Sequence, residues 1–73
     1  MKLVEFMCRS QHFEYPVSIN PGYVVSVIPD NDQNGVKTEI RMFSNDQRGQ
    51  QTTYKTVDDY ATVVGKINEA MAK

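Results

Sequence analysis

Residues 36–42 show the most regular alternation of apolar and polar positions in the chain. The two alternating sets are Val36, Thr38, Ile40 and Met42, and Lys37, Glu39 and Arg41. Successive side chains of a strand point to opposite faces, so a strand here would bury the first set and leave the charged set in water. The pattern predicts a sheet with one covered and one solvated face.

Four other segments have the β-branched and aromatic composition of strands, with turn residues between them. They are residues 2–9, 15–19, 23–28 and 52–56. In the first segment Val4, Phe6 and Cys8 would share one face, and Leu3 and Met7 would lie on the other. Both faces of that strand would then be partly covered, as in a central strand or a strand at a dimer contact.

Proline and glycine indicate where the connections lie. Pro16 has no N–H to donate, so the strand 15–19 is expected at an edge of the sheet. The polar residues 10–14 predict a turn. The sequence Asn20-Pro21-Gly22 predicts another turn, in which Gly22 supplies the positive φ of the second central position.

The C-terminal segment has the periodicity of a helix. Its apolar positions are Val57, Tyr60, Val64, Ile67 and Met71. Their spacing of three and four residues gives a single apolar stripe along one side of a helix. We therefore expect a C-terminal helix that packs this stripe on the sheet.

Charged and polar residues near the helix ends support the same element. Thr56 and Asp59 have the spacing of a capping box. Asp58 and Asp59 would lie in the first turn and Lys73 at the C-terminal end, where each charge interacts favourably with the helix dipole. Gly65 lowers helix propensity, and a close approach of the sheet would explain its presence.

Together these elements predict an α+β fold. Residues 1–73 would form a single small domain, an antiparallel β-meander of four to five strands with one C-terminal helix packed on one face. The polar residues 44–51 would form a second hairpin loop. The chain has no internal repeat and no low-complexity linker.

Residues 30–35 are the one stretch that matches a chemical template. Asp30, Asp32, Asn34 and Gly35 fit the first half of a calcium-binding EF-hand loop. Position 12 of that loop requires a bidentate Glu, but Arg41 stands there. Strand-like segments also flank the loop, where an EF-hand has helices. The Asn-Gly pair is a strong hairpin signal, so we expect a turn and no metal site, with weak calcium binding as the alternative.

Composition limits the functional classes. The chain has 73 residues, one cysteine and a net charge of −1. A lone cysteine without a disulfide partner suggests a reducing, cytoplasmic setting. A domain of this size is marginally stable alone, which makes a homodimer a reasonable expectation. The charge lacks the basic excess of a non-specific nucleic-acid binder, and no apolar run approaches a membrane span.

No residue cluster predicts catalysis or a cofactor. Cys8 and His12 could pair as nucleophile and base, but no third group orients them, and a core thiol with a loop imidazole is the simpler interpretation. Two such residues are also too few for a zinc site. We therefore expect a protein that is not an enzyme and has no cofactor.

Two partner-binding surfaces can be proposed from the charged residues. One is the acidic tip formed by Asp30 and Asp32, which could meet a basic partner. The other is the charged sheet face, which would carry Lys37, Glu39, Arg41 and Lys55. With Arg48 nearby, the cations of that face could contact nucleic acid, but Glu39 interrupts them, so a mixed solvated face or a protein contact is favoured.

Part of the chain resembles a known family. The residues that carry the resemblance are Ile19, Asn20, Pro21, Val24, Val27, Thr38, Ile40, Tyr54, Val57, Tyr60, Val63, Val64, Lys66 and Ile67. Across residues 17–68 the order of elements is similar to that of the small FlbD-type proteins of flagellar operons, and to short phage proteins of the same layout. Here the two loops are longer and an extra strand comes first. The resemblance implies an accessory or regulatory role and supplies no catalytic residues.

The expected function is therefore a non-catalytic protein-binding module, a small regulator, adaptor or inhibitor, of phage or mobile-element type. The alternative is a nucleic-acid-binding transcriptional modulator that uses the mixed basic sheet face.

Overall fold

The structure, a computed structural model, describes residues 2–10, 12–31, 35–43 and 52–72. These ranges contain five strands, one 3₁₀-helix and one α-helix. In chain order they are β1 (Val4–Ser10), β2 (Phe13–Ile19), the 3₁₀-helix (Pro21–Tyr23), β3 (Val24–Pro29), β4 (Thr38–Met42), β5 (Thr52–Thr56) and α1 (Tyr60–Met71). The five strands form one antiparallel sheet, so the predicted α+β class is confirmed.

The strand order is β2-β1-β5-β4-β3. β1 and β2 form an N-terminal hairpin, while β3, β4 and β5 form a three-stranded meander. Among the described residues, the two units join where β1 pairs with β5, at Cys8 and Thr56. The meander expected from the sequence thus covers three of the strands, and the N-terminal hairpin is added beside the last of them.

The sheet cannot be flat, because a short connection joins its two edges. β2 and β3 are the edge strands, yet only Asn20 and the 3₁₀-helix separate Ile19 from Val24. Neighbouring strands lie ~4.8 Å apart, so the edges of a flat five-stranded sheet would be ~19 Å apart. A connection of this length with a helical turn of ~2 Å rise per residue cannot span that distance. The sheet therefore curls, which brings the end of β2 closer to the start of β3 than a flat sheet would allow.

The connection itself differs from the predicted turn. Asn20 caps the 3₁₀-helix, because its Oδ1 accepts a hydrogen bond from Gly22 N at 2.9 Å, and its carbonyl accepts one from Tyr23 N at 3.0 Å. The positive φ expected at Gly22 is wrong. Among the described glycines Gly35 has it, with φ of 91°.

The helix and the concave side of the sheet enclose the core. Its buried apolar residues are Val4, Phe6, Cys8, Ile19, Ile40, Met42, Val63 and Ile67. All three residues expected on one face of β1, and all four on one face of 36–42, are buried, so both alternation patterns are confirmed. The partial cover expected on the second face of β1 is not present in the single chain, where Leu3 and Met7 are 65% and 40% exposed. The predicted turn at 10–14 is wrong in part, because β2 already begins at Phe13. The predicted loop 44–51 lies outside the described residues.

The helix begins later and faces the sheet differently than the sequence suggested. Asp59 is the N-cap residue, and its Oδ1 accepts a hydrogen bond from Thr62 N at 2.9 Å, which lowers the pKa of Asp59. Thr56 belongs to β5, so the predicted capping box is wrong, and Asp58 and Asp59 precede the first turn instead of lying in it. Lys73 lies outside the described residues.

The predicted apolar stripe is rotated on the helix. Val63 and Ile67 are the buried helix residues, whereas Tyr60 and Met71 are 44% and 50% exposed. The close approach of the sheet that Gly65 was expected to permit is also wrong, because a Cβ at this position would meet nothing within 4 Å.

Candidate functional site

Three of the predicted binding residues meet on the open face of the sheet. Glu39 and Arg41 lie on β4, and Lys55 on β5 is the register partner of Glu39. Arg41 Nε donates a hydrogen bond to Glu39 Oε2 at 3.2 Å. Because Glu39 lies beside both cations, this face carries mixed charge and no continuous basic surface.

The other predicted binding residues belong to the β3–β4 connection. Asp30 N donates to the carbonyl of Lys37 at 2.8 Å, and Asp30 Oδ1 accepts from Asn31 N at 2.7 Å. Because the connection joins two antiparallel strands, the predicted hairpin is confirmed. Asp32 and Asn34 lie outside the described residues, so the calcium alternative remains a prediction. The described residues contain no group of three potential metal ligands.

Cys8 lies in the core and away from the only histidine. It is 1% exposed, and its partner across the β1–β2 hairpin is Tyr15, whereas His12 lies in the connection between these strands. Burial, and secondarily the negative charge of Asp58, raises the pKa of the Cys8 thiol to about 11. The thiol is therefore protonated at neutral pH and is a component of the core.

Both outer edges of the sheet carry features that hinder pairing with another strand. Pro16 lies in the middle of β2, the first edge strand, which confirms its predicted edge position. β3, the other edge strand, has an irregularity at Val25, where one extra residue separates two register pairs, and it ends at Pro29. Prolines and bulges of this kind protect sheet edges against pairing with other chains.

An inner edge of β1 has no such protection. The carbonyl of Met7 accepts a hydrogen bond from Val57 N at 3.0 Å, on the side of β1 that faces β5. In an antiparallel strand the N–H and C=O of alternate residues point to the same side, so those of Glu5 also point away from β2. Within the described parts of the chain, β5 pairs with β1 at Cys8 and no strand pairs with the preceding residues on this side. Val57 occupies the position beside Met7, so the stretch without a neighbour on this side is residues 3–6, which we call the free edge of β1.

Two buried threonines explain why the chain leaves β1 at this point. Thr56 Oγ1 donates to the carbonyl of Met7 at 2.7 Å and accepts from Asp58 N at 3.1 Å. Thr38 Oγ1 donates to the carbonyl of Asp58 at 2.7 Å. These bonds fix the turn between β5 and α1 beneath the sheet, so the chain turns into the helix instead of continuing along β1.

The free edge borders a cleft between β1 and the C-terminal half of α1. The cleft has a volume of about 560 Å³. Its lining residues are Lys2, Leu3, Val4, Glu5, Lys66, Glu69 and Ala70. The Lys66 ammonium also lies 5.4 Å from the centre of the Phe6 ring, a distance typical of a cation–π contact. Apolar side chains line part of the cleft, and two lysines and two glutamates line the rest.

Sequence reasoning missed this cleft. The position of Leu3 opposite the core face of β1 was predicted, but partial cover was expected there and Leu3 is 65% exposed. The gap depends on where β5 turns into the helix, and nothing in the local sequence of β1 indicates that. The rotation of α1 that brings Ala70 toward the sheet was also missed.

Comparisons with known proteins do not assign the chain to a family. No family model matches it, and no curated protein or solved structure is significantly similar to it. The resemblance to FlbD-type and short phage proteins therefore stays a prediction. No helix within the described ranges is long and apolar enough to cross a membrane.

Proposed function

We propose that the protein is a non-catalytic protein-binding module, a small adaptor, regulator or inhibitor, and that it binds its partner in the cleft between β1 and α1. The observation that carries the proposal is this cleft beside an unpaired strand edge, in a sheet whose outer edges are both protected. Concave sites with an apolar lining and a few polar groups are where proteins usually bind ligands.

The two surfaces proposed from the sequence are weaker candidates for the binding site than the cleft. Glu39 already pairs with Arg41 and lies beside Lys55, which removes much of the positive potential that nucleic acid would need. The Asp30 carboxylate is used in a local hydrogen bond to the backbone. The cleft residues Lys66 and Glu69, by comparison, have no ion pair with another described residue.

Site-specific photo-crosslinking tests the proposal in the native host. A photoreactive phenylalanine analogue replaces either Leu3, which lines the cleft and is 65% exposed, or Phe13 on β2, which is 73% exposed. We expect a discrete protein adduct from position 3 and none from position 13, because the two positions have similar exposure and differ in their access to the cleft. Equal adducts at both positions, or none at position 3, would contradict the proposal.

A further inference from the structure

We propose that the ligand of the cleft is an extended polypeptide segment that adds as a strand to the free edge of β1. This inference rests on the proposed function and specifies the chemistry of the partner. Strand addition joins a peptide to an exposed sheet edge through main-chain hydrogen bonds, while alternate side chains enter pockets. The cleft offers both requirements at one place.

The backbone of β1 supplies the hydrogen-bonding groups. The N–H and C=O of Glu5 point toward the cleft side of β1, by the same alternation that directs the Met7 carbonyl to Val57. Unpaired main-chain groups of this kind are a template for another strand. Because a strand rises ~3.3 Å per residue, the stretch 3–6 would pair with a segment of similar length.

The lining of the cleft indicates which side chain the segment carries. Val4 is 9% exposed and belongs to the core, and Ala70 packs against that core from the helix. A strand added beside β1 would direct every second side chain to the side on which Val4 lies. An aliphatic residue at that position would contact Val4 and Ala70, so we expect one apolar residue flanked by positions that tolerate polar side chains.

The charges of the cleft favour a polypeptide over a polyanion. Lys2 and Glu5 lie on the strand side, and Lys66 and Glu69 on the helix side, so the formal charges of the lining sum to zero. Nucleic acid binding depends on an excess of lysine and arginine that neutralises phosphates. A net-neutral lining instead complements a backbone whose own N–H and C=O groups are uncharged.

Peptide selection followed by amide exchange tests the inference. A displayed library of random short peptides is selected against the purified full chain, and hydrogen exchange is measured by NMR with and without the strongest binder. In the free protein we expect the Glu5 amide to exchange much faster than that of Phe6, which bonds to β2. Bound peptide should slow exchange at Glu5 and leave Phe6 unchanged, because only the free edge gains hydrogen bonds.

Two matched variants separate the contribution of the Glu5 backbone N–H to peptide binding from that of the Glu5 side chain. Glu5→Pro removes the free-edge N–H without removing a bond to β2, whereas Glu5→Gln removes the charge and keeps the N–H. Protection of the Phe6 and Cys8 amides shows that the β1–β2 hairpin is intact in each variant. Loss of one backbone bond should weaken peptide binding by about tenfold in Glu5→Pro, with little change in Glu5→Gln.

The outcomes distinguish the two proposals. If peptides bind and perturb Ala70, but Glu5→Pro binds them equally well and Glu5 exchange is unchanged, strand addition is overturned and the protein-binding function stands. If no selected peptide perturbs the cleft, strand addition is overturned, and the crosslinking at position 3 decides the function separately. If the free protein already protects the Glu5 amide and sediments as a dimer, the occupant is a second copy and the inference is wrong.

Discussion

The outer edge of β2 and the free edge of β1 belong to the same hairpin but differ in their protection. The partner of Met7 across the hairpin is Pro16. Because Met7 directs its carbonyl toward β5, this pair shares no backbone hydrogen bonds, and the nitrogen of Pro16 faces outward. Proline thus removes a donor from the outer edge at no cost to the ladder, whereas the free edge of β1 keeps its donors. The hairpin is closed to pairing on one side and open on the other.

The largest expected effect concerns what holds β1 in place. Phe6 is 1% exposed in the core, whereas Phe13 on β2 is 73% exposed. Phe6→Ala should lower the free energy of unfolding by ~3–5 kcal/mol, because it removes buried surface and leaves a cavity. Phe13→Ala, the matched control, should change it by less than ~0.5 kcal/mol. Urea denaturation measures the free energy of unfolding of both variants. Similar losses in the two variants would show that Phe6 does not anchor β1 in the core.

A smaller effect is expected at the turn that leaves the edge of β1 free. Thr38 is 0% exposed and donates to the carbonyl of Asp58 at 2.7 Å. Thr38→Val keeps the shape of the side chain but leaves that carbonyl without its donor, which should cost ~1–3 kcal/mol of unfolding free energy. Thr53→Val on the exposed face of β5 is the control, with an expected change within ~0.5 kcal/mol. An equally small change at Thr38 would mean that its hydroxyl does not anchor the turn.

The difference between the two edges also explains what sequence reasoning could predict. Pro16 identified its edge directly, because a missing N–H restricts a residue to certain positions in any sheet. The alternation of Val4, Phe6 and Cys8 identified the buried face of β1, because that signal is local. The free edge depends on contacts between distant residues, such as Thr38 and Asp58, whose pairing no local pattern reveals.

The helix shows the same limit. Its existence followed from periodicity, but Val57 and Tyr60 were included in a stripe that the structure begins at Val63. The N-cap at Asp59 fixes where the helix starts, and Thr56, a plausible cap by composition, is instead used to bond the Met7 carbonyl. Thr56 and Asp59 are both residue types that commonly cap helices, so the local sequence could not decide which of them is the N-cap.

The pH dependence of stability tests the burial of β1 near its junction with β5. Burial raises the pKa of Cys8 from the ordinary 9.0 to about 11. The unfolded chain loses this proton first, so the stabilisation is complete below pH 9 and decreases as the pH rises toward 11. The slope from this group should approach ~1.4 kcal/mol per pH unit. Denaturation at several pH values compares the protein with Cys8→Ala, which corrects for titrating lysines and tyrosines, and identical slopes would contradict the prediction.

The smallest effect on stability should come from the outer edge of β2, where a substitution can remove the protection that Pro16 gives. Pro16→Thr restores an outward N–H on β2 and adds a β-branched residue suited to a strand. Folding stability should change by less than ~1 kcal/mol, because the ladder to β1 does not use this nitrogen and the main loss is the restriction that proline places on the unfolded chain.

The sensitive measurement for this variant is self-association. Two restored β2 edges can pair, so sedimentation should show concentration-dependent dimers for Pro16→Thr at concentrations where the parent chain is monomeric. Ser18→Thr on the same strand face is the control, because it adds the same side chain without adding a donor. If the parent chain already dimerises and Glu14 or Ser18 amides are protected in that dimer, Pro16 does not close the outer edge. The homodimer expected from chain length would then form through β2, and the free edge of β1 would no longer be distinguished by its lack of protection.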